Sequence, residues 1–278
     1  MIDLHSHILP GIDDGAQTLA ESLAMARMAV ADGVHTMACT PHIYPGMYMN
    51  DGPDIARRRD ALQAELDSAG IPLQLVGGAD VHLVPDLLEG LRTGRVPTLN
   101  GSRYLLLEPS HTTPPPRFEG AVFELIAAGY TPIITHPERL TWIEQHHAVF
   151  LRLVQQGAWM QVTAGALTGA FGSRARYWGE RFIGDGHTHV LASDAHSTGR
   201  RSPCLGEALL VAQRLLGTAE ARRLVFDRPQ AVIQNAPPHC APLPDIFSAH
   251  PGTVGRLLSR FGLGLHNVPS ANTRWRTN

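Results

Sequence analysis

Seven short runs rich in β-forming residues alternate with longer segments of helical periodicity along most of this chain of 278 residues. The runs lie at residues 1–7, 36–42, 73–80, 103–108, 131–136, 158–163 and 188–194. Strands that alternate with helices pack as parallel βα units, because each helix carries the chain back to the starting edge of the sheet. The sequence therefore predicts an α/β fold, either a distorted seven-stranded (β/α)7 TIM-like barrel or an open doubly wound sheet.

The first intervening segment carries clear helix boundary signals. Thr18 and Glu21 have the spacing of a capping box, and Gly33 stands where the helix should end. Further helices are expected at residues 54–69, 118–128, 147–156, 175–183 and 207–216, followed by one or two between residues 219 and 234. These helices would connect the strands in the order that a parallel sheet requires.

The chain changes character after residue 236. Four prolines fall between residues 237 and 244, and the remainder carries four arginines against a single aspartate. Glycine, serine and asparagine are frequent there. We therefore expect one catalytic domain at residues 1–236 and an appended Pro/Gly-rich basic tail at residues 237–278, in which residues 254–263 have the spacing of a short amphipathic helix.

Composition excludes several classes of function. A formal charge of −2 offers no general attraction to nucleic acid, whose binding depends on clustered basic residues. No run of about 18 apolar residues is available to insert into a membrane. The N-terminus lacks the features of a secretory signal, so a cytoplasmic location is expected. The three widely spaced cysteines are expected to be reduced thiols.

Residues that commonly bind metals stand at the carboxyl ends of six of the seven predicted strands. They are His5 and His7, His42, Asp80, Glu108, His136, and Asp194 with His196. Because the carboxyl ends of parallel strands meet on one face of the fold, we expect these side chains to converge on one site. A single histidine is more often a surface or core residue than a ligand, but six matched strand ends are hard to explain in that way.

The chemistry of this set indicates which ions it could bind. In His5 and His7, as in Asp194 and His196, residues two apart point to the same side of an extended chain and can reach one ion. A mixture of imidazoles and carboxylates favours Mn²⁺, Fe²⁺ or Zn²⁺ over a structural zinc bound by thiolates. About eight ligands exceed what one ion accepts, so two or three divalent ions are expected.

Two arginines indicate an anionic substrate. Arg139 follows His136 by three residues, and Arg201 follows His196 by five. Guanidinium groups bind phosphate oxygens in a bidentate manner, whereas hydrolysis of a carbonyl substrate has less need of them. Closely spaced metal ions can generate hydroxide and hold the oxygens of a phosphoryl group. The sequence thus predicts a metal-dependent phosphoesterase.

Five segments resemble one known group of phosphoesterases. They are residues 2–15 (IDLHSHILPGIDDG), 38–42 (ACTPH), 130–139 (YTPIITHPER), 161–165 (QVTAG) and 192–196 (ASDAH). In combination they resemble the bacterial tyrosine phosphatases of the PHP (polymerase and histidinol phosphatase) superfamily, which serve capsule and exopolysaccharide synthesis. The resemblance covers residues 1 to about 235, and therefore the predicted catalytic domain but not the tail.

The resemblance implies a seven-stranded PHP barrel with a trinuclear site, usually of manganese. It implies hydrolysis of phosphotyrosine on the tails of polysaccharide-assembly kinases, through attack of a metal-activated hydroxide on phosphorus. The ligands that it implies are His5, His7, Asp14, His42, Glu108, His136, Asp194 and His196. Arg139 and Arg201 match the phosphate-binding arginines, and with Asp14 they form the expected catalytic set. A homo-oligomer is compatible with this interpretation.

One position departs from the family pattern. Asp80 stands where the family usually has glutamate, and its side chain is shorter by one methylene. A ligand at this position would need a backbone shift, a bridging water or a different metal spacing. His82, two residues further along, is an alternative ligand.

Other functions remain open or can be excluded. A phosphatase of histidinol phosphate or of a nucleotide would use the same metal set. A carbonyl hydrolase of the amidohydrolase type would ordinarily have a bridging lysine, and this chain contains no lysine. A non-catalytic metal-binding regulator would be expected to have lost ligands. A cysteine-dependent tyrosine phosphatase is excluded, because no cysteine is followed by arginine at the required Cys-x5-Arg spacing.

Overall fold

The computed structural model describes residues 1–241, and that part of the chain contains nine strands that pair in parallel. Their bounds are β1 Ile2–Ser6, β2 Thr36–Cys39, β3 His42–Ile43, β4 Gln74–Gly77, β5 Asp80–His82, β6 Tyr104–Glu108, β7 Thr131–Thr135, β8 Trp159–Thr163 and β9 Val190–Ala192. They form a three-stranded sheet in the order β1-β2-β4 and a six-stranded sheet in the order β3-β5-β6-β7-β8-β9. The predicted α/β architecture with parallel strands is confirmed.

The two sheets are linked beyond the ends of their outer strands. Ser6 and Ala195 form a parallel bridge. The backbone N–H of His7 donates to the carbonyl of Ala195 at 2.8 Å. The backbone N–H of Asp194 donates to the carbonyl of His5 at 2.9 Å. These bonds place the segment after β9 beside the end of β1, so two separate pairs of predicted ligands come together.

Two predicted strands are each divided in the structure. The run at residues 36–42 becomes β2 and β3, and the run at residues 73–80 becomes β4 and β5. Pro41 has no N–H to continue a ladder. Gly78 allows a close approach, since a Cβ there would lie 2.8 Å from Leu99 Cδ2. The residues predicted to close these strands, His42 and Asp80, instead begin β3 and β5, where they are register partners.

Ten helices connect the strands within the described residues. They are α1 Leu19–Ala31, α2 Gly52–Ser68, α3 Leu87–Thr93, α4 Phe118–Ala127, α5 Ile143–Gln156, α6 Ala164–Leu167, α7 Gly172–Gly184, α8 Gly206–Leu216, α9 Thr218–Arg222 and α10 Arg228–Ile233. The Thr18 side chain accepts a hydrogen bond from the Glu21 N–H, as the capping pattern predicts. The helices α3 and α6 were not predicted, because both are short and contain a glycine, which disfavours helix by about 1 kcal/mol.

Side chains from several strands build the core beneath the site. Leu4, Leu106, Ile133, Trp159 and Val190 belong to one buried cluster. None of them is more than 2% exposed, and together they support the ends of the strands that carry the polar residues.

The described chain ends against this core. The Tyr104 hydroxyl donates to the carbonyl of Ala236 at 2.9 Å. Ala241 belongs to the same buried cluster, although it falls within the tail predicted at residues 237–278. The helix predicted at residues 254–263 lies outside the described residues. Within residues 1–241, no helix is long and apolar enough to cross a membrane.

Candidate metal and phosphate site

The predicted ligands lie around one cleft at the carboxyl ends of the strands. His5 lies within β1, Glu108 ends β6, and His42 and Asp80 begin β3 and β5. The others lie in the segments that follow β1, β7 and β9. Most of these side chains are almost fully buried, and only Asp14, at 44% side-chain exposure, is open to solvent. The structure thus brings together residues that are up to 191 positions apart in the sequence, from His5 to His196.

One half of the cluster, the Asp194 half, is centred on that carboxylate. Asp194 Oδ1 lies 3.3 Å from His5 Nε2 and 3.4 Å from His7 Nε2. His196 Nδ1 is 3.6 Å from the same oxygen. The two predicted phosphate-binding residues, Arg139 and Arg201, both donate to the second oxygen, Oδ2. Asp194 therefore contacts imidazoles with one oxygen and guanidinium groups with the other.

The other half, the Glu108 half, contains no arginine partner within the described residues. Glu108 Oε2 lies 2.6 Å from His82 Nε2 and 3.5 Å from His42 Nδ1. Glu108 Oε1 lies 3.2 Å from His111 Nε2 and 3.5 Å from His136 Nε2. His111 was not predicted, because it lies in a loop three residues beyond Glu108 where no strand pattern marks it.

Asp80 and Asp14 bridge the two halves. Asp80 is fully buried, and its Oδ2 atom lies 3.4 Å from His5 Nε2 and 3.5 Å from His42 Nδ1. The short side chain thus reaches the cluster because it begins β5 beside His42. Asp14 Oδ1 lies 3.3 Å from His196 Nε2 and 3.5 Å from His42 Nε2.

The far nitrogens of the HxH pair are held by residues outside the ligand set. His5 Nδ1 is 2.7 Å from Gln161 Oε1. His7 Nδ1 is 2.7 Å from Asp13 Oδ2, and the same oxygen accepts the backbone N–H of His42. Such contacts fix the tautomer and the ring orientation, so that each Nε2 faces the cluster. The sequence did not single out Asp13, because the resemblance implied only its neighbour Asp14 as a ligand.

Two site residues have backbones in the left-handed region. His136 has φ 35° and Asp194 has φ 53°. This conformation costs a non-glycine residue of order 1–3 kcal/mol and occurs where the surrounding structure enforces it. Here it turns each side chain into the cleft within two residues of the ends of β7 and β9, instead of leaving it on the alternating path of the strand.

Charges in the cleft are strongly coupled. Burial alone would lower the pKa of His7, but the Asp13 carboxylate raises it to about 10. Burial would raise the pKa of Asp194, yet His5, His7 and the two arginines hold it well below its usual range. Burial and the neighbouring His7 lower the pKa of His196 to about 4. The site therefore holds ionised carboxylates beside a neutral His196 imidazole, and cation binding would displace the proton from His7.

The donor set fits divalent metal ions. Four groups of side chains each offer ligand atoms that, within the group, all lie within 4.8 Å of one another. They are His7, Asp14, His42 and His196; His5, His7 and Asp80; Glu108, His111 and His136; and His42, Asp80 and Glu108. Within the described chain, the buried atoms His42 Nδ1 and Asp80 Oδ2 have no hydrogen-bond partner. Polar atoms are seldom left in this state, and a bound cation would satisfy both.

The two arginines reach the cleft from different elements. Arg139 lies in the 3-10 turn Pro137–Arg139 after β7, and Arg201 lies in the loop before α8. Both line the cleft with Asp14 and Glu108. The Arg139 guanidinium also lies 4.4 Å from the centre of the Phe171 ring. Two guanidinium groups beside a carboxylate-rich cluster can bind an anion that also contacts cations there.

A thiol mechanism has no support at this site. Cys39 is buried, and burial raises the pKa of its thiol to about 12. Cys204 and Cys240 are free thiols that do not line the cleft.

Residues 1–234 match the family described as "Capsular polysaccharide synthesis, CpsB/CapC". The chain belongs to this family. The CpsB/CapC match thus covers all nine strands and every residue of the cleft, and it confirms the resemblance that the five sequence motifs indicated.

Proteins of similar sequence carry the name of tyrosine phosphatase. The tyrosine-protein phosphatase YwqE of Bacillus subtilis is 33% identical over 235 residues, which is 84% of this chain and 92% of the relative. The tyrosine-protein phosphatase CpsB of Streptococcus pneumoniae is 30% identical over 244 residues, covering 84% of this chain and 99% of the relative.

Solved structures agree with this relationship. A structure from a study of YwqE and of CpsB from Streptococcus pneumoniae, described as metal-dependent tyrosine phosphatases, matches with a TM-score of 0.82 at 33% identity. The match covers 85% of this chain and 96% of the other. A histidinol phosphate phosphatase of Lactococcus lactis matches with a TM-score of 0.51 at 12% identity, covering 79% of this chain and 93% of the other. That second match shows a shared fold alone.

Proposed function

We propose that this CpsB/CapC chain is a metal-dependent tyrosine-protein phosphatase that acts on phosphotyrosine in the tail of a polysaccharide-assembly kinase. The observation that carries the proposal is the similarity to phosphatases named for this activity over nearly their whole length. The cleft supports the same proposal, because carboxylates, imidazoles and two arginines converge there. A phosphate monoester carries the negative charge that such a cleft would bind.

We assign two or three divalent ions to this cleft, with Mn²⁺ first, as the family resemblance implies, and with Fe²⁺ or Zn²⁺ as alternatives that a mixture of carboxylates and imidazoles also suits. The residues that would hold them are His5, His7, Asp14, His42, Asp80, Glu108, His136, Asp194 and His196, to which the geometry adds His111. When bound, such ions lower the pKa of water and neutralise charge on phosphoryl oxygens. The two sheets would form the distorted seven-stranded barrel implied by the family, with the Ser6 and Ala195 bridge in support.

The chain's own residues would orient the phosphate. Arg139 and Arg201 now donate to Asp194 Oδ2, and a phosphate dianion would compete for the same donors. Planar guanidinium groups fix the orientation of a tetrahedral oxyanion through paired hydrogen bonds. Asp13 and Gln161 would keep the imidazoles of His7 and His5 in place during turnover, because each holds the far ring nitrogen.

The location of the reaction follows from its proposed substrate. Kinase tails that carry phosphotyrosine would meet this enzyme in the cytoplasm. The exposed Cys240 and the partly exposed Cys204 are free thiols, which is typical of a reducing compartment.

A direct test compares two substrates on metal-loaded protein. Purified protein should contain divalent metal and should hydrolyse a phosphotyrosine peptide with a higher kcat/KM than histidinol phosphate. Exhaustive chelation should abolish turnover, and Mn²⁺ should restore it. A preference for histidinol phosphate would replace the proposed substrate, and full turnover by metal-free protein would overturn the metal-dependent mechanism.

A further inference from the structure

One wall of the cleft differs in chemistry from the rest. Charged or polar residues and histidines provide most of the lining, including Arg139, Arg201 and Glu108. Tyr44, Met47 and Tyr48 provide the remainder, and all three come from the segment that follows β3. Among the described residues that line the cleft, they alone, apart from the histidines, offer large apolar surfaces.

This segment is a small closed hairpin. The backbone N–H of Tyr44 donates to the carbonyl of Tyr48 at 3.0 Å, and the reverse bond is 2.8 Å. Gly46 takes φ 87°, the left-handed conformation that glycine adopts at little cost, and so permits the turn. Asn50 anchors the base of the hairpin, because its Nδ2 donates to the carbonyls of Ile12 and His42. The hairpin therefore has a defined position beside the cleft.

Histidines of the cluster support the two tyrosine rings. Tyr44 stacks on His82 with ring centres 3.7 Å apart and planes 11° apart. Tyr48 stacks on His42 with ring centres 5.5 Å apart and planes 19° apart. Between them Met47 remains 63% exposed. A thioether exposed beside two supported rings forms an apolar surface that the described residues leave uncovered, and thioethers make favourable contacts with aromatic rings.

The geometry points to recognition of an aromatic leaving group by this hairpin: we propose that Tyr44, Met47 and Tyr48 bind the ring of the substrate and select aryl over alkyl phosphate esters. The inference rests on the proposed phosphatase function. Arg139 and Arg201 attract the phosphate to the charged wall, so the ester group must extend along another wall. An aryl ring gains stacking and sulfur contacts on the hairpin, whereas the single methylene of a phosphoserine gains little.

The test uses two peptides of the same sequence, one with phosphotyrosine and one with phosphoserine, and the metal-loaded protein. The ratio of their kcat/KM values measures selection of the ring. Tyr48→Leu and Met47→Gln should each lower this ratio by about tenfold. Tyr48→Phe keeps the ring and should preserve the ratio. Tyr177→Leu removes an exposed ring on α7, outside the cleft, and serves as the matched control.

Inhibition by inorganic phosphate and metal content separate the possible outcomes. Both should be unchanged in Tyr48→Leu and Met47→Gln, since the charged wall is intact. An unchanged ratio in these two variants would overturn the role of the hairpin, as would a loss of bound metal that accounts for the whole effect. Met47 is exposed, so its replacement tests the proposal even if Tyr48→Leu fails to fold. If the wild-type protein hydrolysed both peptides equally, the proposed tyrosine specificity would fail together with this inference.

Discussion

The Asp194 half and the Glu108 half of the cleft each have one buried carboxylate surrounded by histidines, yet they differ in charge and in backbone. Asp194 pairs with two arginines in addition to imidazoles, and its backbone is left-handed. Glu108 pairs only with histidines among the described residues, and it ends a regular strand. Positive charge is therefore concentrated at one half.

This difference indicates that the two halves of the cleft have different roles in binding cations and anions. Guanidinium groups remain charged at any physiological pH, whereas imidazoles are neutral when they ligate metal. The Asp194 half can therefore bind cations and present arginines to an anion at the same time. Among the described residues, the Glu108 half offers an anion no permanently charged group. Variants that affect one half but not the other test this interpretation.

Replacement of Asp194 should have the largest effect. Asp194→Asn removes the charge shared by His5, His7 and both arginines, so we expect loss of bound metal and a fall in kcat/KM of about 1,000-fold or more, because metal ions contribute several kcal/mol to catalysis of this kind. Metal analysis and turnover of a phosphotyrosine peptide measure the two effects. Asp60→Asn, on the exposed face of α2, is the control. Full metal content with normal turnover would remove Asp194 from the centre of the site.

Replacement of Arg139 should have the second-largest effect on turnover, but it should leave the bound metal in place. Arg139→Ala removes a phosphate donor but no ligand, so kcat/KM should fall about 100-fold while metal content stays constant. Arg200→Ala provides a close control, since Arg200 is an exposed arginine that lies near the same Phe171 ring. Loss of metal in Arg139→Ala, or kinetics equal to those of Arg200→Ala, would contradict the division between ligands and phosphate donors.

Replacement of Asp13 tests whether residues that contact the ligands, but not the ions, affect metal affinity. Asp13→Asn should weaken metal binding by about 10- to 100-fold, because the carboxylate holds His7 Nδ1 and accepts the His42 N–H. Metal titration of the stripped protein measures the affinity. A matching decrease in turnover that excess Mn²⁺ repairs would support the positioning role. Unchanged metal affinity would show that His7 keeps its orientation without Asp13.

Replacement of Asp80 should have a smaller effect, confined to the binding of one ion. Asp80→Ala should weaken the binding of one ion by about tenfold, because that ion would keep its other protein ligands and water could occupy the vacated position. Asp80→Glu should retain the ion, since glutamate offers the same carboxylate on a side chain longer by one methylene. Counting bound ions across a metal titration distinguishes the variants. If Asp80→Ala bound as many ions with the same affinity, another group such as His82 would supply the ligand.

The fold could be predicted from the sequence where local patterns agreed with the tertiary structure. Apolar runs marked the strands, and Gly157 ends α5 in the left-handed conformation, as expected of a glycine at that place. The break after β2 has a local cause in Pro41, which lacks an N–H for the ladder. The break after β4 could not be predicted in the same way, because it depends on the packing of Gly78 against Leu99, which belongs to a distant segment of the chain.

The site could be predicted only where ligands stood at strand ends. His111 and the hairpin tyrosines lie in loops, and loop position depends on anchors such as Asn50 that no periodicity reveals. The sequence also gave no sign that His136 and Asp194 would leave the extended conformation. Alternation along a strand explains His5 and His7, but at β7 and β9 the left-handed residue determines where the side chain points.

Phe171 should have the smallest effect, and it tests how the arginine of the Asp194 half is held. Its ring lies 4.4 Å from the Arg139 guanidinium, and a Cβ on Gly165 would come within 2.8 Å of Phe171 Cε2. Phe171→Leu should lower kcat/KM about fivefold and weaken inhibition by inorganic phosphate by a similar factor, since a cation over an aromatic face contributes about 1 kcal/mol. Phe171→Tyr keeps an aromatic ring and should leave both kcat/KM and phosphate inhibition at the wild-type level. Combined with Arg139→Ala, Phe171→Leu should have no further effect, because the ring acts through the guanidinium. If the two losses instead multiplied, Phe171 would have a role independent of Arg139.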